Sequence, residues 1–275
     1  MRSLAKLSNP FRRGIFVCAL FGLFGASYLH AETLKGLAFV TSLKGELQQV
    51  SAGGISKKSS LHDSLTLDDS ELFTKGSSQA IIVLSNTLAL GLGAQTNLRI
   101  PRYEQAPFTE EKASVSIEPS TSLLDLRLIS GTCVIVATEQ APLSEFKVQL
   151  PIGYAIFRNV TVRIEYYGRD LKLNLVKGTM TYFPGSNNRQ RYLSAPMHTT
   201  INADTLKLEV LPEAPAEVAL SPEASSFVEA VTHASKRVYF PSLNAESATQ
   251  PVPIVDPYYY KKPIARPYEF KSKSE

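Results

Sequence analysis

The segment from residue 36 to 183 constrains the fold most strongly, because short apolar stretches follow one another there between Gly, Ser, Asn and Pro breaks. Apolar and polar residues alternate most clearly in 124–128, 146–150, 160–166 and 171–175. Such alternation is typical of strands that bury one face and expose the other. We therefore predict an all-β domain built from short antiparallel strands of about 5 to 8 residues, arranged as a sandwich or as a twisted β-solenoid-like domain.

Two stretches depart from this alternation. Ile81, Ile82, Val83 and Leu84 are consecutive, which predicts a more deeply buried strand over 79–84. Residues 102–122 are more polar, and we predict a long loop there.

The first residues have the layout of a secretory signal peptide. Four basic side chains lie before an apolar run over 14–29: Arg2, Lys6, Arg12 and Arg13. The small residue Ala31 follows, so we predict a signal peptide over 1–31, cleavage near Ala31, and a periplasmic or secreted protein of the bacterial envelope. The alternative is an uncleaved anchor, which would be the only contact with a membrane. The apolar run is short against the roughly 20 residues that a bilayer-spanning helix needs.

Removal of the leader changes the charge of the chain. The 29 basic residues fall to 25, which equals the 25 acidic ones, so the mature chain is neutral and we expect no nucleic-acid binding. Of the two cysteines, Cys18 lies in the leader and Cys133 remains, so the mature chain has no internal disulfide.

The composition changes again near residue 212. Nine of the 17 prolines lie from Pro212 onward, and we predict a β domain over 32–211 followed by a mobile Pro-rich tail over 212–275. Within the tail, Ser221-Pro222-Glu223 has the residues of a helix start, and a partial apolar stripe follows until Pro241. This predicts one short helix near 222–238. The sequence leaves open whether that helix packs on the β domain.

Candidate catalytic and metal-binding residues are sparse. Cys133 lies in a predicted strand, where a buried apolar thiol is favoured over a nucleophile. His62, His198 and His233 lack the spacing of metal-ligand motifs. The acidic pairs Asp68-Asp69 and Glu110-Glu111 have no calcium-loop pattern around them, and Gly91 and Gly93 are interpreted as turn glycines. We predict no catalytic residue, no metal ligand and no cofactor.

The order of several segments resembles the FecR-domain family. Residues 67–86 read LDDSELFTKGSSQAIIVLSN and residues 146–158 read FKVQLPIGYAIFR. They are similar to that family's aspartate, Thr-Gly turn and S-x-A-x-L-x-F strand, and to its F-x-V-x-T-P-x-G-x-A-x-x-R segment. Further segments agree in order: 90–98, 118–122, 126–132 and 173–181. Two departures are Asn159-Val160, where the family has Gly-Thr after the arginine, and Asn86-Thr87, where it commonly has a glycine.

The resemblance implies an all-β envelope domain that senses or binds. Founding members of the family are sigma-factor regulators with a cytosolic helical domain, a membrane span and a periplasmic domain. Only 13 residues precede the apolar run here, so we expect the sigma-factor-binding part to be missing. Because asparagine tolerates the left-handed conformation, Asn159 can keep the turn that a glycine would make.

We therefore predict a non-enzymatic binding or signalling module whose partner is another envelope protein or an envelope polymer. The alternative is a structural or assembly protein that uses the β domain as a spacer and the tail as an attachment. An enzyme ranks third, because no acid pair can be assigned to one site and the chain has no Trp. The residues singled out for partner binding are Arg158, Asn159, Tyr258, Tyr259 and Tyr260. For Arg158, a second interpretation is that it pairs with a carboxylate and locks the domain.

Overall fold

The computed structural model describes residues 33–185, 190–202, 208–211, 220–244 and 251–253, with only the backbone described at 208–211. These parts of the chain form eighteen strands and one α-helix. In chain order they are β1 (Leu34–Lys35), β2 (Leu37–Lys44), β3 (Leu47–Val50), β4 (Ser56–Ser59), β5 (Ser64–Thr66), β6 (Ser70–Thr74), β7 (Gln79–Leu84), β8 (Ala89–Leu92), β9 (Asn97–Gln105), β10 (Ser122–Val136), β11 (Glu145–Leu150), β12 (Gly153–Tyr166), β13 (Asp170–Pro184), β14 (Arg191–Ser194), β15 (Met197–Asn202), β16 (Leu208–Leu211), α1 (Pro222–Ala234), β17 (Val238–Tyr239) and β18 (Val252–Pro253).

Sixteen of these strands form one sheet, which follows the order β16-β15-β13-β12-β11-β10-β8-β7-β2-β5. The strands β14, β9, β1, β6, β3 and β4 join it at the sides of this path. Within the described residues the paired strands are antiparallel, apart from β10 and β11, which run parallel. β17 and β18 pair with each other in a separate ladder. The fold is all-β with one short helix, as predicted.

Three strands are nearly twice the predicted length or longer, because bulges let them bend where we expected them to end. β10 and β13 have 15 residues each, and β12 has 14. β10 pairs with β9 and β11 before Gly131, and with β8 and β12 from Gly131 onward. Gly131 has φ 100°, and a Cβ atom there would overlap the Thr96 backbone. Glycine is therefore required at the point where β10 exchanges both neighbours.

A second bulge lies within the ladder that pairs β12 with β13. Asn159 has φ 46°, the left-handed conformation that the sequence predicted, and Gly178 opposite it has φ 84°. A Cβ atom on Gly178 would overlap the carbonyl oxygen of Asn159. The strand register shifts between Arg158 and Thr161 in consequence.

The main core lies along the inner faces of these bent strands. Leu124, Leu126 and Leu128 of β10 are buried at every second position, as the alternation predicted. They join one apolar cluster with residues of β7 and β8, such as Ile82 and Leu90. Tyr103 also belongs to this core and is fully buried. It lies in the 102–122 segment, where we predicted a loop. The strand β9 extends to Gln105, so the first four residues of that segment are in a strand.

The helix α1 packs on the opposite face of β7, β8 and β10. The Ser221 hydroxyl accepts a hydrogen bond from the Ala224 backbone N–H at 3.2 Å, and Pro222 occupies the first turn. Val228, Val231 and Ala234 are buried against the sheet in a second apolar cluster. Ile81 and Val83 of β7 belong to this cluster, which explains why 79–84 is apolar at consecutive positions.

The question that the sequence left open is thus answered, because the helix does pack on the sheet. It ends at Ala234, four residues earlier than predicted, and Val238 begins β17 while staying in the second cluster. Among the described residues no helix is long and apolar enough to cross a membrane. The predicted signal peptide lies outside the described residues, as does most of the tail beyond 244.

Candidate binding groove beside the helix

An open groove of about 500 Å³ lies between α1 and the edge of β2. Its floor is apolar and comes from both layers, with Phe39 and Ile81 from the sheet and Ala234 and Val238 from the chain around the end of α1. Pro253 of β18 lies at the same groove. The volume falls within the range of about 300–1,000 Å³ that is usual for ligand sites. We call this feature the β2 groove.

The rim of the β2 groove is polar, and none of the described residues that line it is a carboxylate. His62, His233 and Arg237 line it, together with the hydroxyl-bearing Thr41 and Ser42. Arg237 follows the helix end, where its backbone N–H donates to the Ala234 carbonyl at 2.9 Å. Within the described part of the chain, its guanidinium has no ion-pair partner. Within the described residues the rim therefore offers a positive charge without an ion-pair partner beside an apolar floor.

A tight turn places His62 in the groove. Its backbone has φ 69°, and its ring stacks on Phe39 with the centroids 5.8 Å apart. The His62 N–H donates to the Val40 carbonyl at 2.9 Å, and the Val40 N–H donates to the Asp63 carbonyl at 3.0 Å. The Asp63 carboxylate accepts from the Ser60 N–H at 2.9 Å and does not line the groove.

The edge of β2 is only partly covered. On one side β2 pairs with β7 from Ala38 to Lys44. On the other side it pairs with β5 through Leu37, Ala38 and Phe39, and the His62 turn covers Val40. Beyond that point, no strand in the described residues pairs with 41–44 on this side. The backbone edge next to the groove is therefore open.

A second groove, also of about 500 Å³, lies on the other side of α1, and nine of its eleven lining residues carry polar or charged side chains. Asn159, one of the predicted binding residues, lines it and is exposed. Lys177 and Lys236 line it as well, together with Glu139 and several hydroxyl side chains. We call this feature the polar groove.

Arg158, the other predicted binding residue in the described chain, contacts the protein itself. It is exposed, and its Nη2 donates to the Pro142 carbonyl at 2.9 Å and to the Ser144 carbonyl at 3.1 Å. Those carbonyls belong to the loop between β10 and β11. Arg158 thus holds that loop against β12. Tyr258, Tyr259 and Tyr260 lie outside the described residues.

A buried carboxylate from the segment between β9 and β10 contacts the same loop. Glu118 is 5% exposed, and its Oε2 accepts from the Ala141 N–H at 2.7 Å, while its Oε1 accepts from the Ser122 hydroxyl. Burial raises the pKa of Glu118, and these hydrogen bonds and the charge of Arg158 oppose that rise. The network continues from Ser122 to the Asn86 amide at 3.0 Å. It fills the interior between strands and has a structural role.

The remaining candidates lie apart from one another. Cys133 is buried, and burial raises the pKa of its thiol to about 12. Asp68 accepts from the Tyr103 N–H at 3.0 Å, whereas Asp69 pairs with Arg99 at 3.3 Å. In the described residues no three His, Cys, Asp or Glu side chains are grouped as a metal site. Gly91 lies within β8 under α1, so its interpretation as a turn residue was wrong.

The β2 groove itself was not predicted. His62 and His233 were considered only as isolated histidines, since 171 positions in the sequence separate them. The fold brings them together because the His62 turn caps β2 and α1 crosses the neighbouring strands. The continuous apolar runs of β7 and of the second half of β10 were the signal for a covering layer, and hence for a groove at its edge.

No protein-family model and no curated protein matches this sequence. Among solved structures, the chain is similar to two crystal structures of a candidate anti-sigma factor from Parabacteroides distasonis, at 11% and 12% sequence identity. The TM-scores are 0.41 and 0.39, and each alignment covers 52% of this chain. The chain spans 59% of the length of each of those proteins.

Proposed function

We propose that this protein is an exported, FecR-like binding module of the bacterial envelope that acts in signalling without catalysing a reaction. The observation that carries the proposal is the β2 groove, in which an apolar floor lies beside the guanidinium of Arg237. A groove of this composition suits recognition of another molecule, because the floor supplies burial and the rim supplies orientation.

The groove is poorly suited to chemistry. Its polar groups are two histidines, an arginine and two hydroxyls, and the described residues that line it include no carboxylate to orient either histidine as a base. The cysteine of the described domain lies in the core, and its raised pKa keeps the thiol protonated at neutral pH. These features favour binding over nucleophilic or acid–base catalysis.

The sequence resemblance supports the sensing role and the envelope location. The resembling segments build β7, β8 and the β11–β12 hairpin, which are central strands of the sheet. The partner in this proposal is another protein of the envelope.

Site-directed photo-crosslinking in cells tests the proposal. A photoreactive residue at Ala230, in the β2 groove, is compared with one at Ile55, which is 72% exposed on the β3–β4 side. We expect the mature chain to begin near Glu32, to fractionate with envelope material, and to form a discrete crosslinked product from Ala230 only. A full-length chain in the cytosol, or equal crosslinking from both positions, would contradict the proposal. A product containing only this protein would instead support the structural or assembly role.

A further inference from the structure

We infer that the β2 groove binds an extended, acidic and apolar segment of a partner protein, which adds as a strand to residues 41–44 of β2 and places a carboxylate beside Arg237. This inference rests on the proposed binding function and specifies how the partner is held.

The backbone of β2 supplies the first argument. Residues 42–44 pair with β7 on one side, and Thr41 is a bulge residue whose hydroxyl donates to the Ile81 carbonyl at 3.1 Å. The other side of 41–44 has no strand partner in the described residues. An extended segment can therefore form main-chain hydrogen bonds there with a backbone that is already ordered. Proteins usually protect such edges, and here the bulge at Thr41 and the exposed Lys44 at the end of β2 are the protecting features, which leave Ser42 and Leu43 between them.

The groove floor supplies the second argument. Side chains of an added strand alternate between two faces, so every second residue of the segment would point to the same side as Phe39 and Ile81. These two side chains, with Val238, form an apolar floor directly beside the open edge. An aliphatic or aromatic side chain would be buried there. Main-chain pairing and a side-chain pocket thus occur together, as strand addition requires.

The charge of the rim supplies the third argument. It indicates whether a separate partner or the chain's own C-terminal segment occupies the groove. Arg237, His62 and His233 line the groove, and no carboxylate of the described segments does. A guanidinium binds a carboxylate through paired N–H donors, so an acidic segment is favoured. The chain's own segment 254–275 follows Pro253 at the groove. Its first seven residues are apolar or aromatic apart from Asp256, whereas 261–275 has five basic and two acidic side chains. That basic part has the wrong sign for a positive rim, which favours a separate partner.

Selection from a displayed library of random heptapeptides tests the inference on the full mature chain. Two variants serve as counter-targets: Ala230→Trp, which fills the groove from an exposed helix position, and Arg237→Glu, which reverses its charge. The matched control is Arg127→Glu, the same charge change at an exposed position of β10 outside the groove. We expect the enriched peptides to combine Asp or Glu with apolar residues, and to bind each groove variant at least tenfold more weakly while binding the control equally.

Amide hydrogen exchange then tests the strand addition. Circular dichroism and thermal unfolding first establish that the variants fold. With a selected peptide bound, we expect slower exchange at one or more amides of 41–44. The inference is overturned if no peptide is enriched, if the enriched peptides are basic, if they bind the groove variants unchanged, or if 41–44 gains no protection. Crosslinking from Ala230 to another envelope protein would still support the proposed function in those cases. If removal of 254–275 is needed before any peptide binds, the tail is the occupant and the inference is wrong.

Discussion

Gly91 lies directly beneath Val231, so that a Cβ atom on Gly91 would overlap the Cγ2 atom of Val231. The same Cβ atom would lie 3.0 Å from Cζ of Phe227. Gly91 is in β8 and the two other residues are in α1, so the absence of a side chain at Gly91 permits the helix to approach the sheet closely. This contact sets the position of α1, and thereby one wall of the β2 groove.

We expect Gly91→Ala to lower the free energy of unfolding by about 1–3 kcal/mol, because the added methyl group overpacks the helix–sheet contact. Gly53→Ala is the control, since nothing lies within 4 Å of a Cβ atom there and its stability should change by less than about 0.5 kcal/mol. Urea unfolding measures both. The double variant with Val231→Ala should lose less unfolding free energy than the sum of the two single-variant losses. Fully additive losses would show that the two residues are not in contact.

Cys133→Ala should leave partner binding intact and lower the free energy of unfolding by about 1 kcal/mol, since the thiol is packed in the core as a small apolar group. Because burial raises the thiol pKa to about 12, almost no thiolate is present at neutral pH. Alkylation of the folded protein should therefore be slow and should accelerate in urea. Rapid labelling of the native protein would revive Cys133 as a reactive residue.

Arg158→Ala should lower the free energy of unfolding by about 1–2 kcal/mol, because the carbonyls of Pro142 and Ser144 lose a charged donor. Arg158→Lys should fall between the two: both contacts are made by Nη2, and the shorter lysine side chain keeps the charge but brings its nitrogen less close to the two carbonyls. Arg127→Ala, at an exposed position without such contacts, is the control. Thermal unfolding and hydrogen exchange of the 137–144 loop measure the effect. Unchanged stability with lost partner binding would favour the ligand-contact interpretation of Arg158.

The local pattern of the sequence was enough to predict strands but not their neighbours. Alternation identified the buried faces of β10, β11 and β12, because side-chain period depends only on consecutive residues. It could not show that β10 changes both neighbours at Gly131, since that glycine has the same local signature as one that ends a strand. Tyr103 was missed for a related reason: polar neighbours on the outer face of β9 hide a buried ring.

The candidate site was less predictable than the fold. The helix start at Ser221-Pro222 could be predicted from capping chemistry alone. The meeting of His62 with Arg237 could not, because it depends on where α1 crosses the sheet. The position of that crossing depends on Gly91, and nothing in the neighbouring sequence indicates that a residue without a side chain is needed there.

Glu118 gives a prediction about pH. Burial is the largest influence on its carboxyl group and raises the pKa in the folded state above the ordinary value of 4.5. The folded protein thus binds a proton more tightly at this site than the unfolded chain does. The resulting stabilisation is complete below the ordinary pKa and is lost as the pH rises through the folded-state value. The ionised carboxylate is the less favourable form in this buried position.

Glu118→Gln removes this titration while keeping the shape of the side chain. An amide can still accept from the Ala141 N–H with its oxygen, and it can donate to the Ser122 hydroxyl with its nitrogen. We therefore expect the stability of the variant relative to the wild type to increase from pH 4 to pH 7. Urea unfolding of both proteins at several pH values between these limits measures the difference. A relative stability that falls with rising pH would show that the ionised carboxylate is held favourably, so that its hydrogen bonds and Arg158 outweigh burial.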